Sequence, residues 1–233
     1  MSTRLRTGFP VELLNMYSLI ASISGLSVLI PATIAFFFRK KILPEYRPFF
    51  WCILVSCIVK LTVSACCVCL PADLTVICNL LLLPEALLYT WQFRRWKLFH
   101  RQPRLFTGVV CLLLAGWMLE PLISGHLGGN LTWFNLLYAL VVVLMSVRYL
   151  NQIFLSAHDD LLQHSGFIIA AGFIIYFTCQ LLVQAFWISG LNNSPDFRSQ
   201  VYVILNFITI SINLLFGYAL IWTDRKQPYT RLY

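Results

Sequence analysis

Hydrophobic residues in this chain form seven long, nearly continuous runs separated by short polar segments. The runs cover approximately residues 13–38, 48–70, 73–93, 105–125, 131–155, 165–190 and 199–222. Each run approaches the roughly 20 residues that an α-helix needs to cross the hydrocarbon core of a bilayer. The runs do not alternate strictly between polar and apolar residues, which argues against a transmembrane β-barrel. The pattern therefore predicts an all-α polytopic membrane protein with a seven-transmembrane-helix bundle.

The composition favours a single transmembrane domain over residues 1–233. Hydrophobic residues make up 59% of the chain and charged residues only 11%, whereas soluble domains carry roughly 25% charged residues. The segments between the runs are short, so little of the chain remains for a soluble domain. The first run is too long for the apolar region of a cleavable signal peptide, and we interpret it as the first membrane helix.

Basic residues are concentrated on alternate connections. Twelve Lys and Arg residues lie between runs one and two, between runs three and four, and after run seven; the opposite side carries three. The positive-inside rule then predicts an outer N-terminus and a cytoplasmic C-terminus. The net charge of +8 follows this topology and does not indicate a nucleic-acid partner. Arg94, Arg95 and Lys97 are predicted to contact anionic lipid or a cytoplasmic partner.

Four ionisable residues interrupt the apolar runs, namely Lys60, Glu85, Glu120 and Arg148. A charge at the bilayer centre costs about 2.5–3.5 kcal/mol, so such residues are paired, hydrated or functional. Lys60 and Glu85 fall near mid-membrane on runs joined by a tight turn, which predicts a charge pair. Glu120 lies near the outer end of its run and is expected to face an outward vestibule. Arg148 lies near the inner boundary and either snorkels to the headgroups or joins the inner-face contacts.

Polar residues recur at steps of three or four on five runs, which places them on shared helix faces. With the residues that share their faces, the sets are Ser56, Lys60 and Ser64; Asn79, Leu82, Glu85, Tyr89 and Gln92; Asn135, Tyr138, Val142, Met145, Tyr149 and Gln152; Tyr176, Gln180, Gln184 and Trp187; and Tyr202, Asn206, Thr209, Asn213 and Gly217. One interpretation is hydrogen bonding between helices, at roughly 0.6 kcal/mol each. The other is a polar cavity that admits a ligand or water, and five polar faces in seven helices favour such a cavity.

Sequence motifs for catalysis or cofactor binding do not accompany these residues. The chain contains no nucleophile elbow, P-loop or zinc-protease motif. One connection carries His158, Asp159, Asp160 and His164, which we interpret as a solvated loop in preference to a metal site. We therefore expect no enzymatic activity, no cofactor and no metal.

Two segments resemble a group of membrane proteins. Residues 161–176 read LLQHSGFIIAAGFIIY, and a YVILN segment at 202–206 continues through Asn213 to Trp222. Both resemble small, mostly uncharacterised seven-helix membrane proteins of Bacteroidetes-type bacteria. The resemblance implies a bacterial inner (plasma) membrane location and a sensory role beside a sensor kinase.

Three functions remain open from the sequence. The leading hypothesis is a receptor-like or sensory protein that binds a small polar ligand or senses protons in an intramembrane pocket, and signals to a cytoplasmic partner. The pocket would be formed by Lys60, Glu85, Tyr89, Glu120, Asn79 and Asn206. One alternative is a secondary transporter or proton-coupled permease that uses the Lys60–Glu85 pair. The other is a non-catalytic subunit of a larger membrane complex.

Overall fold

The computed structural model describes residues 11–66, 71–124, 129, 131–156, 164–188 and 195–222. Across these ranges the chain is almost entirely helical and contains no β-strand, which confirms the predicted all-α class. The α-helices are α1 (Val11–Ser27), α2 (Leu29–Phe38), α3 (Arg47–Cys66), α4 (Pro71–Arg95), α5 (Pro103–Ser124), α6 (Thr132–Ser156), α7 (Ser165–Ile188) and α8 (Pro195–Trp222). A short 3₁₀ turn, Pro44–Tyr46, precedes α3.

Six helical segments are long and apolar enough to cross a membrane. They are Leu19–Phe38, Val76–Arg95, Pro103–Ile123, Thr132–Leu155, Ser165–Ile188 and Ser199–Trp222. The first segment joins the end of α1 to α2 across a single turn residue, Val28. These segments indicate an integral membrane protein with a helical bundle. Whether α3 forms a seventh span, and which terminus faces the cytoplasm, stay predictions.

Aromatic side chains form the centre of the bundle. Consecutive helices pack against each other from α3 to α8, and α8 also packs against α1 and α2. Phe173 of α7 is fully buried, and its ring contacts five others: Phe49, Tyr89, Phe93, Phe177 and Phe216. Large apolar side chains such as Phe37, Ile123 and Leu155 remain exposed on the outer surface, where lipid would cover them.

The bundle has two distinct ends. The α2–α3, α4–α5 and α6–α7 connections lie at one end, which we call the basic end because of its exposed cations: Arg39, Lys40, Lys41, Arg47, Arg94, Arg95, Lys97, Arg101 and Arg104. The last residues of α3, α5 and α7 and the first residues of α4, α6 and α8 lie at the other end, which we call the opposite end. This alternation follows because short connections force neighbouring helices to run antiparallel.

Candidate functional site

Glu85 of α4 lies among hydroxyl groups. Its Oε1 accepts a hydrogen bond of 3.3 Å from the Ser56 hydroxyl of α3, and the Tyr89 hydroxyl is hydrogen bonded to the same carboxylate. Lys60 is exposed on α3 and makes no salt bridge with Glu85, although it attracts the carboxylate at longer range. On α3 it is the Ser56 hydroxyl, one turn before Lys60, that contacts Glu85.

Tyrosines surround this carboxylate on the side of α6 and α7. The rings of Tyr89 and Tyr138 stack with their centroids 6.1 Å apart, and Tyr138 and Tyr176 both lie within electrostatic range of Glu85. The Tyr138 hydroxyl is buried and has no hydrogen-bond partner among the described residues. Glu85 thus belongs to a hydroxyl-rich centre formed by Ser56, Tyr89, Tyr138 and Tyr176, which we call the carboxylate centre.

Glu120 caps a neighbouring helix. Its two carboxylate oxygens accept hydrogen bonds from the backbone N–H groups of Trp133 and Phe134, at 3.1 and 2.7 Å. These donors belong to the first turn of α6, where N–H groups lack intrahelical partners and negative charge is favoured. This contact joins α5 to α6, and the predicted outward vestibule stays a prediction. An apolar groove of about 470 Å³ lies beside it, lined by Gly116, Leu119, Glu120, Ile123, Trp133, Phe134 and Leu137.

The two predicted asparagines differ in their contacts. The Asn79 side chain donates to the backbone carbonyl of Gly129 at 2.7 Å, and its own backbone carbonyl accepts from Trp117 Nε1 at 2.9 Å. Asn79 therefore links α4 to α5 and to the α5–α6 connection, as in the interhelical interpretation. Asn206 lies half-buried on α8, one turn after Tyr202, and makes no hydrogen bond to Glu85.

A polar crevice opens between α6, α7 and α8 at the opposite end. Its volume is about 230 Å³, and it is lined by Thr132, Asn135, Gln180, Val183, Gln184, Trp187, Tyr202 and Leu205. We call it the amide crevice, because the side-chain amides of Asn135, Gln180 and Gln184 face it. Within the described part of the chain, these three amides have no hydrogen-bond partner. Their spacing pointed to shared faces, but the sequence did not show that the three faces meet.

The amide crevice and the carboxylate centre are neighbours along α6 and α7. Tyr138 follows Asn135 by three residues, and Tyr176 precedes Gln180 by four. Each step is about one helical turn, or roughly 5.4 Å. Tyr138 and Tyr176 therefore lie between the unpartnered amides and Glu85.

Hydrogen bonds close most of the basic end, although the buried Trp96 Nε1 has no hydrogen-bond partner among the described residues. The fully buried Gln92 side chain accepts from the backbone N–H of Phe49 and donates to the carbonyl of Glu45, both at 2.8 Å. The Ser165 hydroxyl donates to the Tyr46 hydroxyl at 2.8 Å. These bonds attach α4 and α7 to the turn that precedes α3, and burial raises the pKa of Tyr46 to about 12.

His164 caps the start of α7. Its Nδ1 accepts from the backbone N–H of Phe167 at 3.2 Å, which requires the neutral imidazole. Burial lowers the pKa of His164 from 6.5 to about 4, so the ring is neutral at pH 7. Residues 157–163, including His158, Asp159 and Asp160, lie outside the described residues. Among the described residues, no group of three or more His, Cys, Asp or Glu side chains is placed to hold a metal ion.

The predicted inner-face residues lie at the basic end. Arg94 and Arg95 are exposed and lie over the rings of Phe106 and Trp91, at 4.6 and 5.6 Å from the centroids. Lys97 ends α4 with a positive φ of 61°, and the following N–H bonds back to the Phe93 carbonyl at 3.1 Å, as in a Schellman motif. Half-buried Arg148 donates to Gln102 Oε1 at 3.4 Å.

Comparison of the chain with protein-family models, with characterised proteins and with solved structures finds no match, so the function must be inferred from the site's own geometry.

Proposed function

We propose that the chain is a receptor-like or sensory integral membrane protein that binds a small polar ligand in the amide crevice and signals to a cytoplasmic partner. The observation that carries the proposal is the set of unpartnered amides of Asn135, Gln180 and Gln184. The three side chains are half-buried, so their amides are accessible from the crevice. Three such amides lining one crevice are therefore available to a ligand.

The helices that line the crevice also reach the basic end. Tyr149 of α6 stacks on Trp96, with centroids 4.3 Å apart and an interplanar angle of 12°. Ser165 of α7 is hydrogen bonded to Tyr46. A ligand that binds one arrangement of α6 and α7 more tightly than another would shift the population of these contacts. The exposed cations Arg94, Arg95 and Lys97 lie close by on α4 and supply a surface for an acidic cytoplasmic partner or anionic lipid.

The carboxylate centre supports a second candidate, a proton-coupled transporter. Among the described residues, Glu85 is contacted by Ser56 and Tyr89 but by no cationic side chain, and the Tyr138 hydroxyl between Glu85 and the crevice has no hydrogen-bond partner. Intramembrane carboxylates of this kind occur in proton relays. Transport requires a continuous path across the bundle, whereas the basic end is closed by Gln92, Tyr46 and their partners. This closure makes the receptor the first candidate.

The test measures binding and flux with the same protein. Purified protein is unfolded thermally with and without a small-molecule extract of cells, and the extract is also applied to proteoliposomes. We expect stabilisation without solute accumulation; a ligand at 100 times its Kd stabilises by about 2.7 kcal/mol. The double variant Gln180→Leu, Gln184→Leu should lose the stabilisation, whereas Gln200→Leu, an exposed amide of α8 outside the crevice, should retain it.

Two results would change the proposal. Accumulation of a solute that depends on Glu85 would identify a transporter. Equal stabilisation of the wild type and the double variant would remove the crevice as the binding site.

A further inference from the structure

The three amides of the crevice select for groups that both donate and accept hydrogen bonds. Each amide of Asn135, Gln180 and Gln184 offers an NH₂ donor and a carbonyl acceptor. A carboxylate of the ligand satisfies only the donors, and an ammonium satisfies only the acceptors. A hydroxyl does both, and several adjacent hydroxyls on one small molecule match three amides on two facing helices.

The described lining of the crevice carries no charge, which favours an uncharged ligand. The eight described residues that line the crevice include no Asp, Glu, Lys, Arg or His. An ionised group transferred into such a site loses its hydration without gaining a counter-charge, which costs several kcal/mol. A neutral ligand avoids this cost, so the lining favours uncharged molecules.

The apolar part of the lining matches the faces of a small saturated ring. Trp187 of α7 is 38% exposed and Tyr202 of α8 is 41% exposed, and both line the crevice together with Val183 and Leu205. Aromatic rings with a polar edge offer an apolar face and a hydrogen-bonding group at once. The volume of about 230 Å³ lies below the roughly 300 Å³ at which ordinary drug-sized pockets begin, which limits the ligand to a compact molecule.

From this combination we infer that the amide crevice binds a small, uncharged, polyhydroxylated ring of the monosaccharide or cyclic polyol class. The inference rests on the proposed ligand-binding function and specifies its ligand. The same chemistry is offered by a free sugar in solution and by a sugar headgroup on a membrane lipid, since both present neutral hydroxyls on a saturated ring.

The experiment compares neutral and charged probes that share a hydroxylated six-membered ring. The full chain is purified in a detergent without a sugar headgroup, and D-glucose, myo-inositol, glucuronate and glucosamine are titrated by calorimetry. At least one neutral probe is expected to bind tenfold or more tightly than glucuronate and glucosamine. The double variant Gln180→Leu, Gln184→Leu should weaken that binding at least tenfold, and Gln200→Leu should leave it unchanged. Each variant is first shown to elute and melt like the wild type without a probe.

A second arm separates the two sources of the ligand. The protein is placed in phosphatidylcholine vesicles with and without glucosyl diacylglycerol, and its melting temperature is compared. Stabilisation by this lipid that is lost in the double variant supports the headgroup source, whereas binding of only the free probes supports a soluble sugar.

The outcomes distinguish the ligand class from the function. Binding of a charged probe as tight as that of the neutral ones overturns the ligand class and leaves the receptor proposal intact. The same holds if no probe or glycolipid binds while the cell extract still stabilises the wild type through Gln180 and Gln184. If neither the probes nor the extract act through these residues, both proposals fail.

Discussion

Both ends of the bundle carry glutamine side chains, but their hydrogen bonding differs. At the basic end, the Gln92 amide is fully buried and both of its polar atoms are hydrogen bonded. At the opposite end, the amides of Gln180 and Gln184 line a crevice and have no partner among the described residues. A glutamine at helical spacing therefore does not by itself indicate a structural or a functional role. The number of its hydrogen-bonding atoms that the protein already satisfies decides between them.

Aromatic residues at the two ends differ in exposure, although the buried Trp96 Nε1 at the basic end also has no hydrogen-bond partner among the described residues. Trp96 and Tyr149 stack nearly parallel and are both buried, so they fix the relation of α4 to α6. Trp187 and Tyr202 remain partly exposed beside the unpartnered amides. We conclude that the basic end fixes the helices relative to one another, while the opposite end retains the capacity to bind.

The largest expected effect comes from removing the amide of Gln92. Gln92→Leu leaves the backbone N–H of Phe49 and the carbonyl of Glu45 without their partner. An unsatisfied buried polar group costs about 1–3 kcal/mol, so the variant should lose roughly 2–5 kcal/mol of unfolding free energy. The measurement is reversible unfolding in mixed detergent micelles.

Gln184→Leu is the matched control, because it makes the same substitution at the opposite end. Among the described residues its amide has no partner to lose, and the expected change is within about 0.5 kcal/mol. If Gln184→Leu destabilises the protein as much as Gln92→Leu, the contrast between the two ends is wrong.

A pH dependence of intermediate size should arise from His164. Its folded pKa of about 4 lies below the ordinary 6.5, so folding favours the neutral ring. The contribution of the neutral His164 ring to the unfolding free energy is fully present above pH 6.5, and it is lost as the pH falls toward 4. The shift corresponds to about 3 kcal/mol at most, at 1.36 kcal/mol for each pKa unit. The described residues that line the amide crevice include no Asp, Glu or His, so this effect arises at the start of α7 and not in the crevice.

His164→Asn tests this assignment. Asparagine is a good N-cap and has no charge to gain, so the variant should remain stable at pH 7 and lose less stability than the wild type between pH 6.5 and 4. Unfolding free energies at both pH values give the difference. Identical losses in the two proteins would show that the acid sensitivity has another source.

The sequence predicted the helices well and the contacts between them only in part. Spacing identified Asn135, Gln180 and Tyr202 as residues of polar faces, because helical periodicity is local. It did not show that these three faces meet, since the rotation of each helix depends on packing across the whole bundle. Counting residues from the turn also placed Lys60 level with Glu85. In the structure the Ser56 hydroxyl, one turn earlier on α3, contacts Glu85.

The sequence could not predict the hydrogen-bond partners of Glu120, for a related reason. Its depth was estimated from its distance to the end of the run, which says nothing about the neighbouring helix. The backbone N–H groups of Trp133 and Phe134 become its partners only once α5 and α6 are packed side by side. Backbone donors carry no sequence signal, so a carboxylate that caps another helix resembles a carboxylate that faces a vestibule.

The smallest expected effect is the change in unfolding free energy when a glycine at each end is replaced by alanine. It compares how tightly the two ends are packed. A Cβ added at Gly166 would collide with the Tyr149 hydroxyl, and Tyr149 is buried and held by its stack on Trp96. Because this neighbour cannot move freely, Gly166→Ala should cost about 1–3 kcal/mol of unfolding free energy. A Cβ at Gly116 would lie 2.7 Å from Leu137 Cδ2, the end of a flexible side chain beside the apolar groove.

Leu137 can turn into that groove, and alanine gains up to about 1 kcal/mol over glycine in a helix interior. Gly116→Ala should therefore be close to neutral. Gly108→Ala measures the helix gain alone, because its added Cβ would have no atom within 4 Å. Unfolding of the three variants under one condition gives the ranking. Equal costs at Gly166 and Gly116 would mean that the opposite end is packed as rigidly as the basic end. The crevice would then lack the freedom that a ligand-driven rearrangement of α6 and α7 requires.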